Sequence, residues 1–208
     1  TKVFHDHEPH ATQRLTASGI LAVSSNTGSI QIGEMLSNDT LHNYLSKFGI
    51  GEKTGSGLPG ESRGILPKVA DWSGTTAPTV AFGQGYSLTA MQATSVFATI
   101  ANDGVRVSPT VIAGTSDASG NYTPSATRES VRVISADTAQ KMRIMMESVV
   151  SGNGTAPSAA IAGYRVAGKT GTAQRIDDTC GCYRGYTASF IGFAPADNPA
   201  YVISVTIQ

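Results

Sequence analysis

The sequence predicts a mixed α/β fold, mostly helical over residues 11–163 and ending in an antiparallel sheet over residues 164–208. Apolar residues recur at helical spacing in separate segments before residue 150, whereas three β-like runs with short connections follow Tyr164. With 208 residues, 40% hydrophobic and only 14% charged, the chain can supply one sizeable core or most of one.

Leu15, Ile20, Leu21 and Val23 give residues 11–23 a helical pattern that delivers the chain to Ser24. Beyond Asn26 and Gly28 come Ile30, Ile32, Met35 and Leu36. Leu41, Tyr44, Leu45 and Phe48 then take the i, i+3, i+4, i+7 spacing of an amphipathic helix closed by Gly49. Residues 49–85 are rich in Gly, Pro, Ser and Thr, hold the single tryptophan, Trp72, and read as a long ordered connection. Thr89 and Gln92 have capping-box spacing and open a helix carrying Leu88, Met91, Val96, Phe97 and Ile100, which stops at Asn102-Asp103-Gly104. Residues 105–112 and 131–134 read as extended, joined through a turn-like 116–121, and Ala139, Met142, Met146 and Val149 mark another helix. Residues 164–174, 186–194 and 201–207 form the predicted antiparallel meander, whose last strand leaves a face or edge open unless another segment supplies its cover.

Lys plus Arg equals Asp plus Glu, at 15 each, which gives no footprint for nucleic acid or an acidic membrane surface. No apolar run approaches the roughly 18 to 20 residues that span a bilayer, and the polar, histidine-rich N-terminus is unlike a signal sequence. His5, His7 and His10 could hold zinc or nickel opportunistically, but a mobile terminus supplies no fixed geometry. Neither a metal nor a cofactor is therefore assigned. His42 stands alone and reads as a surface helix residue. Cys180-Gly181-Cys182 offers too few ligands for zinc and leaves two readings open, a tight disulfide in an oxidising compartment or two free thiols on a loop.

Two short motifs carry chemistry, Ser24-Ser25-Asn26 and Lys169-Thr170-Gly171-Thr172. Penicillin-recognising serine enzymes combine a Ser-x-Asn loop and a Lys-Thr-Gly strand with a Ser-x-x-Lys nucleophile. No serine of this chain is followed three residues later by lysine, so the site reads as incomplete. Other copies lie where turn chemistry explains them: Ser119-Gly120-Asn121, Ser151-Gly152-Asn153 and Lys53-Thr54-Gly55 all sit in Gly-containing loops. Ser24 instead lies between two predicted helices, and Lys169 within an extended run whose glycines, Gly168 and Gly171, would let a ligand approach the backbone.

The chain resembles the transpeptidase domain of class B penicillin-binding proteins, the septal cell-wall enzymes. Thr16 to Asn26, Lys47-Phe48-Gly49-Ile50-Gly51, Gly57-Leu58-Pro59-Gly60-Glu61, Phe82-Gly83-Gln84-Gly85, Ala98 to Gly104 and Ala167 to Ala173 are similar to family blocks, in family order. The Cys-Gly-Cys-Tyr loop is similar to that of actinobacterial members. The membrane anchor, the pedestal domain, the Ser-x-x-Lys segment and the closing helix have no counterpart here. The resemblance implies an α/β sandwich of the penicillin-binding and serine β-lactamase kind, with a five-stranded antiparallel sheet flanked by helices. Residues 1–208 would be the C-terminal portion of one such domain.

The activity so implied is peptidoglycan D,D-transpeptidation at division, on stem peptides, with β-lactams acylating a serine supplied by a companion segment. Divisome membrane proteins would be partners, and the location would be the outer face of the bacterial membrane. Ser24 would relay protons, Lys169 would supply positive charge, and Asn26 would orient the peptide amide. Thr170, Gly171 and Thr172 would hold the substrate carboxylate, with the Thr172 N–H in the oxyanion hole. Gln84 would shape the cleft or only join loop to helix. A D,D-carboxypeptidase or serine β-lactamase of the same fold, or a non-catalytic penicillin-recognising sensor, are the alternatives.

Overall fold

In the computed structural model, which describes residues 2–177 and 179–207, six α-helices and seven strands alternate with long loops. Helix α1 (Ala17–Val23) begins where Thr16 caps it by accepting from the Gly19 N–H, and ends at Ser24 in the left-handed region, φ 56°. The helical pattern expected from residue 11 therefore starts six residues later, because the Thr16 cap sets the boundary. Ser25 caps α2 (Asn26–Gly33) and Ser37 caps α3 (Asn38–Lys47), so the apolar stretch after Asn26 folds as two helices broken at a capping serine. Gly49, with φ +91°, turns the chain away from α3, as expected of a closing glycine. His42 is half-buried and its ring centroid lies 6.3 Å from that of Trp72, so it is a packing residue rather than a free surface one.

Residues 49–85 are not wholly irregular. A 3-10 turn (Val69–Asp71) and a short helix, α4 (Thr76–Ala81), interrupt them. Helix α4 packs on α2, where a Cβ on Gly33 would lie 2.6 Å from Ala81 Cβ. Both arms of the predicted capping box open α5 (Ala90–Ala101). The buried Gln92 amide does more than cap: its Nε2 donates to the carbonyls of Gly49, Glu52 and Arg63 at 2.7–3.2 Å and ties the preceding loop to the helix.

Strand β1 (Val105–Val107) pairs antiparallel with β4 (Ser130–Arg132), and a hairpin, β2 (Gly114–Ser116) with β3 (Tyr122–Pro124), rises between them. The extended run expected over 105–112 stops at 107, just before Pro109, which has no N–H to pair. The turn-like 116–121 is the hairpin's turn, held by the Asp117 carboxylate, which accepts from the N–H groups of Ser119 and Asn121. Helix α6 (Ala136–Glu147) follows, capped by Ser135.

The main sheet has the order β5-β6-β7 and is antiparallel throughout, from β5 (Ala167–Asp177), β6 (Cys182–Ala194) and β7 (Tyr201–Ile207). Strand β5 starts three residues later than expected, whereas β6 starts four earlier because the hairpin runs out to the cysteine pair. Cys180 and Cys182 are joined in a disulfide, which selects between the two readings left open by the sequence. Helices α5 and α6 cover one face of the sheet, and Ile100, Met146, Ala167, Phe193 and Ala196 form the core between them. Along β7, Tyr201, Ile203, Val205 and Ile207 alternate toward the other side and are each at least half exposed.

Candidate active site

Ser24 and Lys169, 145 residues apart in sequence, meet in the structure: Lys169 Nζ donates to Ser24 Oγ at 2.7 Å and to the Thr170 carbonyl at 3.0 Å. The elements explain the meeting. Helix α1 packs on α6 and α6 on β5, so the end of α1 arrives beside the strand. Strand alternation places Lys169 on the same side as buried Ala167, and its register partner is buried Ile191. At Ser24 the left-handed backbone directs the chain from α1 into α2 while presenting the hydroxyl to the lysine. Burial lowers the Lys169 pKa to about 8, because the charged ammonium is the form that desolvation penalises.

Asn26 is the first residue of α2, and the segment before α1 locks it in place. The Asp6 carboxylate accepts from the Thr27 N–H, Ser25 Oγ and Thr27 Oγ1, and is paired with His10 Nε2 at 2.8 Å. Asn26 Nδ2 itself donates to the His5 carbonyl at 3.0 Å, leaving its Oδ1 and one N–H for a substrate. Burial raises the pKa of Asp6, but its hydrogen bonds outweigh that and hold it down to about 2. The N-terminal segment is therefore an anchored strap rather than the mobile terminus expected from composition, with Phe4 also packed edge-on against Phe82. His10 serves in this clamp, and among the described residues no group of three or more His, Cys, Asp or Glu side chains is placed to hold a metal.

Thr170 Oγ1 lies 3.5 Å from Lys169 Nζ and 2.8 Å from Thr155 Oγ1. Thr172 is exposed one step further along β5 on the same alternation. The two motif glycines have structural work of their own. A Cβ on Gly168 would lie 2.5 Å from Phe190 Cζ, and one on Gly171 would lie 2.7 Å from Ser189 Oγ. Packing within the sheet thus accounts for both glycines without a ligand. The hydroxyls of the other motif copies are engaged elsewhere or lie in turns: Thr54 Oγ1 donates to Glu61, Ser119 sits in the β2–β3 turn, and Ser151 Oγ donates to the Ser148 carbonyl. Gln84 is exposed, with its N–H on the Thr79 carbonyl, a junction after α4. Asp6 and Thr155 escaped the sequence reading, since neither belongs to a motif or a periodic pattern.

The family profile of the penicillin binding protein transpeptidase domain matches residues 1–208. Penicillin-binding protein PbpB of Mycobacterium tuberculosis is 42% identical over 212 residues, 98% of this chain and 31% of that protein. Peptidoglycan D,D-transpeptidase FtsI of Escherichia coli is 34% identical over 194 residues, 93% of this chain and 31% of that protein. The crystal structure of M. tuberculosis penicillin-binding protein 3 complexed with aztreonam matches with a TM-score of 0.95 at 42% identity, over 99% of this chain and 48% of that one. Its ampicillin complex also has a TM-score of 0.95. The chain thus spans less than half the length of these relatives. A match along its whole length shows that the chain, in which the Ser-x-Asn and Lys-Thr-Gly segments meet in space, belongs to the transpeptidase-domain family of penicillin-binding proteins, in its class B, PbpB-type branch.

Proposed function

We propose that the protein to which these 208 residues belong is a peptidoglycan D,D-transpeptidase, inhibited by β-lactams, whose nucleophilic serine comes from a Ser-x-x-Lys segment outside them. The single observation that carries the reading is the 2.7 Å bond from Lys169 Nζ to Ser24 Oγ, with Asn26 held two residues further along by the His5 carbonyl.

The chemistry follows from where the protons can go. The nucleophilic hydroxyl passes its proton to the neutral companion lysine as its oxygen attacks the carbonyl between the two terminal D-alanines. The tetrahedral intermediate collapses with departure of D-alanine, Ser24 giving its proton to the leaving nitrogen and regaining one from that lysine. Ser24 Oγ accepts a hydrogen bond from the Lys169 ammonium, so its own proton is free to pass to the leaving nitrogen. An amine from a neighbouring stem peptide then attacks the acyl-enzyme, reversing the relay. Lys169 acts as fixed positive charge, holding the substrate carboxylate and favouring the neutral form of the companion lysine. Asn26 orients the donor peptide amide, while Thr170, Gly171 and Thr172 line the carboxylate site. The Thr172 N–H is one oxyanion donor, a contribution of about 3 to 4 kcal/mol to transition-state stabilisation.

The disulfide between Cys180 and Cys182 supports an extracytoplasmic location, where such bonds persist. No helix among the described residues is long and apolar enough to cross a membrane.

The test supplies the protein carrying the Ser-x-x-Lys segment with a stem peptide ending in D-alanyl-D-alanine and an amine acceptor. D-alanine release coupled to cross-linked product, both stopped by penicillin, is the expected result. Release without cross-linking would indicate a carboxypeptidase, catalytic penicillin hydrolysis a β-lactamase, and saturable binding without chemistry a sensor.

A further inference from the structure

We propose that Ser148, at the end of α6, is a positioning residue for the proton relay: it pins helix α1 and so fixes where Ser24 stands relative to Lys169. Ser148 is the C-terminal cap of α6 and belongs to neither motif. Across the gap to α1, Ser18 Oγ donates to Ser148 Oγ at 3.1 Å. The Ser148 hydroxyl has one proton and two carbonyls in reach, that of Ser18 on α1 at 3.2 Å and that of Met145 on its own helix. Whichever carbonyl takes the proton, the Ser18 hydroxyl stays bonded across the helix interface.

Helix α1 has seven residues, too few to be stable unless packing holds it, and it packs on α6. Its C-terminal cap ties Ser24 to the helix: the Ser24 N–H donates to the Leu21 carbonyl at 3.3 Å and the Ser25 N–H to the Ile20 carbonyl at 3.0 Å. A slide or rotation of α1 therefore carries Ser24 Oγ with it. Lys169 belongs to the opposite side of the joint, on β5, against which α6 packs. The Ser18 to Ser148 bond thus links the helix that carries Ser24 to the helix seated on the strand of Lys169. Apolar packing is non-directional and tolerates sliding, whereas a hydroxyl pair holds only over a narrow range of distance and angle. The bond from Lys169 Nζ to Ser24 Oγ is 2.7 Å long, so a displacement of about 1 Å breaks it. The inference rests on the transpeptidase reading and names a residue that acts through Ser24 rather than on the substrate.

The experiment measures single-turnover acylation of the protein carrying the Ser-x-x-Lys segment over a range of penicillin concentrations. Ser148→Ala and Ser18→Ala each lower the limiting rate constant about tenfold and leave the half-saturating concentration unchanged. The double variant is no slower than either, since both remove the same bond. Ser148→Thr, which keeps the hydroxyl, restores the rate. In a Ser24→Ala background, where the relay is already gone, Ser148→Ala has no further effect. A rate constant is read per acylated molecule, so a smaller folded fraction lowers the amplitude and not the rate. An unchanged limiting rate in Ser148→Ala, or an undiminished loss in the Ser24→Ala background, overturns the inference alone. An unacylated wild type contradicts the transpeptidase reading and the inference with it.

Discussion

With a pKa lowered by burial to about 8, Lys169 is charged at neutral pH and loses its proton as the pH rises through that value. If the charge is what the site needs, the second-order acylation constant declines above pH 8, and Lys169→Arg removes that decline even though it slows the reaction. Stability moves the other way. Between about 8 and the unperturbed 10.5 the unfolded chain binds the extra proton, so this residue's contribution to stability grows as the pH rises across that window. Rate and denaturation profiles with parallel slopes would contradict this assignment of the charge.

Asp6 carries a second prediction. Asp6→Asn puts an amide against the Ser25 and Thr27 donors, and chemical denaturation should show a loss of about 1–3 kcal/mol. Since the folded pKa of about 2 lies below the ordinary 3.8, the wild-type contribution is present above 3.8 and is lost as the pH falls through 2. Acylation by the variant should also slow, because Asn26 follows the clamp. Ser24 and Lys169 were legible in the sequence because motif order and element context set them apart from their copies. Asp6 was not, because an aspartate that reaches across about 20 residues to cap another helix leaves no local pattern.

Among the elements, α5 depends on Gln92, which is 1% exposed and joins its helix cap to the carbonyls of Gly49, Glu52 and Arg63. Gln92→Leu strands those groups without water and should cost about 2–4 kcal/mol, read as a lower denaturation midpoint with an unchanged slope. A loss below about 0.5 kcal/mol would mean that the loop finds other partners. The capping box itself was visible in the sequence, since Thr89 and Gln92 are three residues apart. The tether to residues 49–63 was not, because it is made by tertiary contact. Helix α4 escaped because six residues are too few to display a period, and the β2–β3 hairpin because its strands are three residues long and mostly exposed. The three strands of the main sheet were legible as elements, with their ends displaced by the cysteine hairpin and by the later start of β5.

For the molecule as a whole, the open side of β7 is the dominant feature outside the site. Tyr201, Ile203, Val205 and Ile207 present a row of large apolar side chains, each at least half exposed, along one side of the strand. These 208 residues alone should therefore bind a hydrophobic dye and self-associate, and the Ser-x-x-Lys segment with its flanking strands and helices should suppress both. A monodisperse, cooperatively melting chain that ignores the dye would show that the row needs no cover. The sequence announced the final strand as a β-like run over residues 201–207. It could not announce how closely α1, α6 and β5 bring two remote motifs together, since that depends on packing of all three.

The most direct test of the central claim is intact-mass analysis after incubation with a reactive penicillin, on these residues alone and again with the Ser-x-x-Lys segment. The account predicts one penicilloyl adduct on the serine of that segment, none on these residues by themselves, and loss of the adduct in Lys169→Ala. An adduct formed equally well in Lys169→Ala, or none with both parts present, would contradict a site shared between Ser24, Lys169 and the missing nucleophile.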